Sequence, residues 1–240
     1  MKSDTDHSAS AFDVLIEIAR TNPAIETFQF ATLEFAPPLD MRAQLSIADE
    51  TVITKALEYR SALHLPFWDG AMLAAAFSTE PPKGLFSAAT YHQHLPNSLH
   101  TVSASDLSIS RLSEMCDNAT KHGQLLAITS LVTLNDASHK HLALLDFHTP
   151  FSNQATTIVK EVVRALGLSG KLLKSGKSYH FYGNSLISTE SLVPFLAKAL
   201  LFEPIIDRVW IAHQLMERRA ALRISPRTEY GGVPTTVCSI

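Results

Sequence analysis

The chain has 240 residues, 46% hydrophobic and 18% charged, a composition that excludes wholesale disorder and supplies one large domain, or one core with a smaller appendage. Its net charge of −3 argues against a protein that coats nucleic acid wholesale. It leaves room for a local basic site among Lys171, Lys174, Lys177, Arg208, Arg218, Arg219, Arg223 and Arg227.

The first ten residues are polar with no apolar run behind them, so no secretory leader is expected. The longest apolar stretch, Ala71 to Phe77, falls far short of the roughly 20 residues that a membrane span needs. Residues 1–9 read as a frayed tail. Asp13 to Ala19 has helical spacing and stops before Asn22-Pro23. Thr27 to Phe35 alternates Phe28, Phe30, Leu33 and Phe35 with polar residues, mostly at strand period, until Pro37-Pro38. Residues 47–63 read as a helix, and Leu65-Pro66-Phe67-Trp68 opens another that runs to about Phe77. Residues 78–100, rich in Pro, Ser and His, read as loop. Asp106 to Asn118 reads as a helix with Asp106 as its N-cap. The two cysteines, Cys116 and Cys238, lie far apart without a CxxC or histidine companion. A disulfide framework or structural zinc is therefore not expected, and reduced thiols with a cytoplasmic address are.

The second half has a different rhythm. Gln124 to Leu134 is β-branched and apolar, a strand; Asn135 to Ser138 is a short polar turn; His141 to His148 is a second strand that makes a hairpin with the first. Asn153 to Leu166 is an amphipathic helix closed by Gly167. Leu172-Leu173 and Ser178 to Tyr182 predict two short strands around Ser175-Gly176. Glu190 to Phe202 predicts a helix and Ile205 to Glu217 a further segment. Ala220 to Ser225 and Thr235 to Ile240 are short strand candidates. The sum is an α+β fold, a mixed or antiparallel sheet with helices packed on it. Residues 1–122 form an N-terminal α/β part of the same body, and 123–240 form a core.

Three polar points end apolar runs. Asp146 follows Leu142 to Leu145, and His148 shares its strand face two positions on. A carboxylate there is costly to bury unpaired, and its bland reading is a strand-end cap or core ion pair. Ser178 and His180 share a face behind Lys177, a weak pattern by itself. Asp207 follows Ile205-Ile206, the place of an ordinary helix N-cap. Arg223 stands among apolar residues, where arginine is seldom found without a carboxylate or an anion.

In this order the three blocks resemble the motif set of the archaeo-eukaryotic primase superfamily: Leu144-Leu145-Asp146-Phe147-His148, Ser175-Gly176-Lys177-Ser178-Tyr179-His180, and Ile205-Ile206-Asp207. His213, Leu215, Arg219, Leu222-Arg223 and Ser225 resemble the segment after the third motif. The resemblance covers about residues 124–240. It implies an RNA-recognition-like core sheet that carries a site for metal-dependent nucleotidyl transfer. It also implies nucleoside triphosphates and nucleic acid, DNA or RNA, as partners, Mg2+ or Mn2+ as cofactor, and a protein partner in a replication or defence complex. On that resemblance Asp146 and Asp207 hold metal, with His148 as an unusual further ligand. Lys177, Ser178 and His180 bind the triphosphate, Arg223 contacts phosphate, and Asp146, Asp207 and His180 form the catalytic set. The departure is His148, which stands where the family has a second carboxylate. Imidazole suits manganese better than magnesium. Three arrangements stay open: one metal, a ligand from elsewhere such as Asp136 or Glu203, or a relative that binds nucleotide or nucleic acid without polymerising it.

Other signals are weaker. Gly170 to Ser178 nearly spells a Walker loop, but it has five residues between its glycines instead of four and leads into a strand. His92, His94 and His100 read as loop histidines in preference to a metal site. No Gly-x-Ser-x-Gly elbow occurs, which argues against a Ser-His-Asp hydrolase. Phe67, Trp68 and Trp210 read as core before they read as base-stacking platforms.

Overall fold

The computed structural model describes residues 8–34, 45–63, 65–91, 99–226 and 232–240. The chain divides into two compact units, one made of residues 36–93 and the other of residues 1–35 with 94–240. The larger unit opens with α1 (Ala11–Thr21) and β1 (Ile25–Glu34). The smaller unit holds α2 (Ile47–Leu63), α3 (Phe67–Ala76) and α4 (Lys83–Ala89). The larger unit resumes with β2 (Leu99–Ser103), α5 (Ile109–Lys121), β3 (Gln124–Leu134), β4 (His139–Asp146), α6 (Asn153–Ala165) and β5 (Gly170–Ser175). It closes with β6 (Ser178–Ser188), α7 (Thr189–Leu200), α8 (Arg208–Glu217), β7 (Ala221–Arg223) and β8 (Thr235–Ser239).

In the smaller unit Val52, Ala56, Ala71, Ala74, Leu85 and Ala88 make a core of mostly small side chains. Small residues let the helices approach closely: a Cβ placed on Gly70 would lie 3.1 Å from the Ala56 carbonyl oxygen. Asp49 is buried and caps two helices at once, accepting from the Ser46 N–H at 2.7 Å and the Leu85 N–H at 2.8 Å. Burial pushes its carboxyl up, but these donors and the Ser46 hydroxyl outweigh that and hold it below the ordinary value. α4 falls within the stretch 78–100 expected to be loop, and β2 begins at its end. Pro81-Pro82 punctuates the sequence yet is well placed just before a helix, since a proline there gives up no needed N–H.

In the larger unit the sheet has the order β2-β1-β3-β4-β6-β5-β8, every pairing antiparallel, with β7 lodged against β3. The fold is thus α+β, as the sequence predicts. On β4, Leu142 and Leu144 join a core with Phe12 and Leu15 of α1 and Leu112 of α5. Leu145 and Phe147 join a second core with Val159 and Val163 of α6 and Leu196 of α7. Burial on both faces explains why β4 reads as a continuous apolar run. The helices start where serine can cap: Ser10, Ser108, Ser152 and Ser188 each accept an N–H from their own first turn. The cap of α5 is therefore Ser108; Asp106 lies one turn earlier, in a 3₁₀ segment, because the Ser108 hydroxyl reaches the Arg111 N–H at 3.2 Å. Phe35, Arg227, His92 and His94 lie outside the described residues.

Two irregularities position the site. On its free side β3 pairs with β7 over Ala127–Thr129 but with β4 over Leu131–Thr133, so the sheet forks. The β4–β6 ladder slips at Ala143: Leu142 faces Leu186, whereas Leu144 faces Tyr182 and Asp146 faces His180. The slip is even-numbered, so both strands keep their buried faces while the pairing slides. β5 and β6 run longer than expected because Gly170 and Gly183 pair across the ladder, where a Cβ on Gly170 would meet the Tyr182 carbonyl at 2.1 Å.

Candidate active site at the sheet fork

The fork holds a pocket of about 360 Å³ lined by Leu33, Leu125, Asp146, Phe147, Ser175, Lys177, Ser178, His180, Trp210, Ala221, Leu222 and Arg223. Asp146 ends β4 and His180 is its ladder partner on β6, with the imidazole Nε2 3.6 Å from the Asp146 Oδ1. The chain then carries Phe147 into a bridge with Ile206, and the Asp207 N–H donates to the Asp146 carbonyl at 3.1 Å. Those backbone bonds join two aspartates 61 positions apart in sequence. Asp207 uses Oδ1 to cap α8, accepting from the Val209 and Trp210 N–H groups at 2.9 Å each, while its Oδ2 lies 3.5 Å from the His148 Nδ1. It is the helix cap that its bland reading predicts, with a second oxygen turned to His148. Asp207 and His148 stand beside the pocket rather than in its wall.

The electrostatics separate the two acids. Burial, reinforced by the nearby Asp207 charge, pushes the Asp146 carboxyl up to about 8. Burial also pushes Asp207 up, but the His148 hydrogen bond and the two cap N–H groups prevail and hold it below the ordinary value. Burial, with Arg223 nearby, takes the His180 imidazole down to about 3. The contact between His180 and Asp146 is thus between two groups that resist charge, and at 3.6 Å it is longer than a hydrogen bond. His180 Nδ1 and the Tyr182 hydroxyl are buried and find no hydrogen-bond partner. The Asp146 side chain stays 29% exposed, so the pocket opens it to solvent.

A polar frame aims Arg223. Trp210 Nε1 donates to the Ala221 carbonyl at 2.8 Å and the Ala221 N–H donates to Gln214 Oε1 at 2.8 Å, fixing β7 to α8. On the other side the Ala220 N–H donates to Ser130 Oγ, which lies 2.9 Å from His141 Nδ1. From that strand Arg223 reaches β5, donating to Ser175 Oγ at 3.0 Å and to the Ser225 carbonyl. Lys177 follows Gly176, whose φ of +62° makes the tight β5–β6 turn. That turn leads strand into strand, so the Walker reading fails, as its spacing predicts.

The structure brings all seven candidates of the resemblance together: Asp146, His148, Lys177, Ser178, His180, Asp207 and Arg223. Ser178 lines the pocket, and its hydroxyl donates to the Phe147 and Thr149 carbonyls, which holds the chain beyond β4. Asp136 cannot serve the site: it sits in the β3–β4 turn, at the far end of β4, and accepts from Ser138. Glu203 is exposed in the turn between α7 and α8. Among the described residues no three His, Cys, Asp or Glu side chains form a group able to hold a metal ion by themselves. Sequence reasoning missed Leu33, Leu125 and Leu222 as pocket walls. It read Trp210 as core, and Trp210 does pack against both cores while lining the pocket.

A family model described as archaeo-eukaryotic primase 1D-like matches residues 103–234, more than half of the chain and all seven candidates named above. No curated protein and no solved structure matches the chain. No helix among the described residues is long and apolar enough to cross a membrane. The chain that folds into this forked sheet accordingly belongs to the archaeo-eukaryotic primase-like family.

Proposed function

We propose that the pocket at the sheet fork binds a nucleoside triphosphate and transfers its nucleotidyl group to a hydroxyl of a nucleic-acid strand, with Asp146 and Asp207 holding Mg2+ or Mn2+. The observation that carries this reading is the strain on Asp146, whose carboxyl is driven up to about 8 by burial and by its neighbour Asp207 beside an open pocket. Two carboxylates that repel each other beside an open pocket fit a divalent cation. Magnesium is commonly held by one or two carboxylates together with substrate phosphates, so a protein trio is not required. When bound, the cation supplies charge neutralisation at the phosphate oxygens and alignment of the attacking hydroxyl.

The side chains divide the remaining work. Lys177 and Arg223 line the pocket and neutralise triphosphate charge. His180, held neutral, offers its ring to the substrate without bringing a competing cation. Leu33, Leu125, Trp210 and Leu222 form an apolar wall for the nucleoside. Primer extension or de novo priming with Mn2+ and with Mg2+ tests the reading. Product that disappears in Asp146→Asn supports transfer.

A second reading has its own support. His148 takes the second acidic position and pairs with Asp207 at 3.5 Å, which lowers the site's capacity for metal. A nucleotide- or nucleic-acid-binding subunit without catalysis would then bind its ligand equally well in Asp146→Asn and make no product under either metal.

A further inference from the structure

We propose that Phe151, with Lys174 and Lys177, forms a landing platform for single-stranded nucleic acid beside the pocket. This rests on the function proposed above and adds the strand's contact surface to it. Phe151 lies in the segment between β4 and α6 and keeps 38% of its surface exposed although its backbone is tied down. Its N–H donates to the Lys177 carbonyl at 2.8 Å, which fixes it to the β5–β6 turn. Its ring lies 5.3 Å from the Tyr179 ring, and the Lys174 ammonium sits 4.6 Å from its centroid. Tyr179 is itself immobilised, its hydroxyl donating to the Ser152 carbonyl and accepting from the Ser152 N–H at 3.0 Å. The ring is thus a rigid π-surface with a cation on it.

The same turn joins this platform to the pocket. Ser175, Lys177 and Ser178 line the pocket, and Lys174 and Tyr179, ladder partners flanking that turn, support Phe151. A base stacked on Phe151 has the Lys174 ammonium beside it, and Lys177 follows in the same turn, a local pair of cations in a chain whose net charge is −3. Stacked aromatics interleaved with cations suit single strands, because every base offers a π-face and the backbone supplies the charge. A duplex buries its base faces and cannot use the ring.

The test is binding of a fluorescein-labelled oligothymidylate to the full chain, followed by anisotropy across a salt series, with a hairpin duplex as comparison. Phe151→Ala weakens oligothymidylate binding about tenfold, the scale of one lost base stack. Lys174→Gln lowers the slope of log affinity against log salt by about 0.7, the value for one phosphate contact on a single strand. Phe151→Trp keeps affinity and shows indole quenching on binding beyond that of the wild type, whose Trp68 and Trp210 set the baseline, which confirms direct contact even if the alanine variant folds poorly. Binding of a fluorescent nucleoside triphosphate in Mn2+ stays unchanged in all three variants. Unaltered oligothymidylate affinity in Phe151→Ala, no added quenching in Phe151→Trp, or a stronger loss for duplex than for single strand overturns the platform while leaving the pocket reading intact. Loss of triphosphate binding in Asp146→Asn bears on the pocket alone.

Discussion

The clearest test of the site is a substitution that should make the protein more stable while removing its function. The Asp146 carboxyl is raised from an ordinary 3.8 to about 8, chiefly by burial and then by the charge of Asp207. The folded carboxyl therefore holds its proton more tightly than the unfolded one. Its contribution to stability is fully present below about pH 4 and is lost as pH rises toward 8. At pH 7 the three-unit gap sets a ceiling of about 4 kcal/mol on that loss. Because 29% of the side chain is open to water, about half of that, ~2 kcal/mol, is the expected gain for the isosteric Asp146→Asn. Urea unfolding in EDTA reads it directly: the variant gains about 2 kcal/mol at pH 7 and less than about 1 kcal/mol at pH 5. Adding Mn2+ raises the stability of the wild type and leaves the variant unmoved, since a ligand stabilises only the state that binds it. An Asn variant no more stable than wild type at pH 7, or a gain independent of pH, refutes the claim that this carboxyl is held under strain for a cation. Stability given up at an active site is a common signature of function.

Three further outcomes follow. His141 is buried against Ser130 and its imidazole is brought down to about 4 by burial and then by Arg219. The unfolded chain therefore takes up a proton between about pH 6.5 and 4 that the folded chain refuses, and at pH 5 this costs about 2 kcal/mol; His141→Gln flattens that part of the acid-unfolding curve. Gly170→Ala sets a methyl 2.1 Å from the Tyr182 carbonyl and should destabilise by about 3 kcal/mol in urea unfolding. Ser178→Ala removes the hydroxyl that holds the Phe147 and Thr149 carbonyls; it should cost about 1 kcal/mol of stability and shift triphosphate affinity by less than about threefold, measured by nucleotide titration.

The site was legible chiefly through the resemblance of three blocks to the primase motif set; local rules alone read Asp146 and Asp207 as caps and Ser178-x-His180 as a weak pattern. Asp146 after four apolar residues and Asp207 after two isoleucines each break a hydrophobic run at its end. A polar group at that point must be capped, paired or used. Asp207 shows how two readings coexist: one oxygen caps α8 and the other faces His148. The helix at 109–121 was recognisable, but its start was not, because Asp106 and Ser108 are both good caps and only the packing of Leu112 and Cys116 chooses between them. α4 and β2 were hidden by Pro, Ser and His that carry no period. Phe151 left no signal, since exposure of a single aromatic depends on what packs beside it.

The sequence by itself determined the α+β class, the order of most elements in the second half, and which side chains end the apolar runs, because these depend on periodicity and on neighbours within a few residues. Only the tertiary structure decided that Asp146 meets His180. An unslipped β4–β6 ladder would set Tyr182 opposite the aspartate, and a two-residue slip at Ala143 leaves the hydrophobic pattern of both strands unchanged. The fork that admits β7, and with it Arg223, is equally silent along the chain, since a strand's choice of partner is fixed by long-range hydrogen bonds such as Ala220 to Ser130 rather than by its own residues.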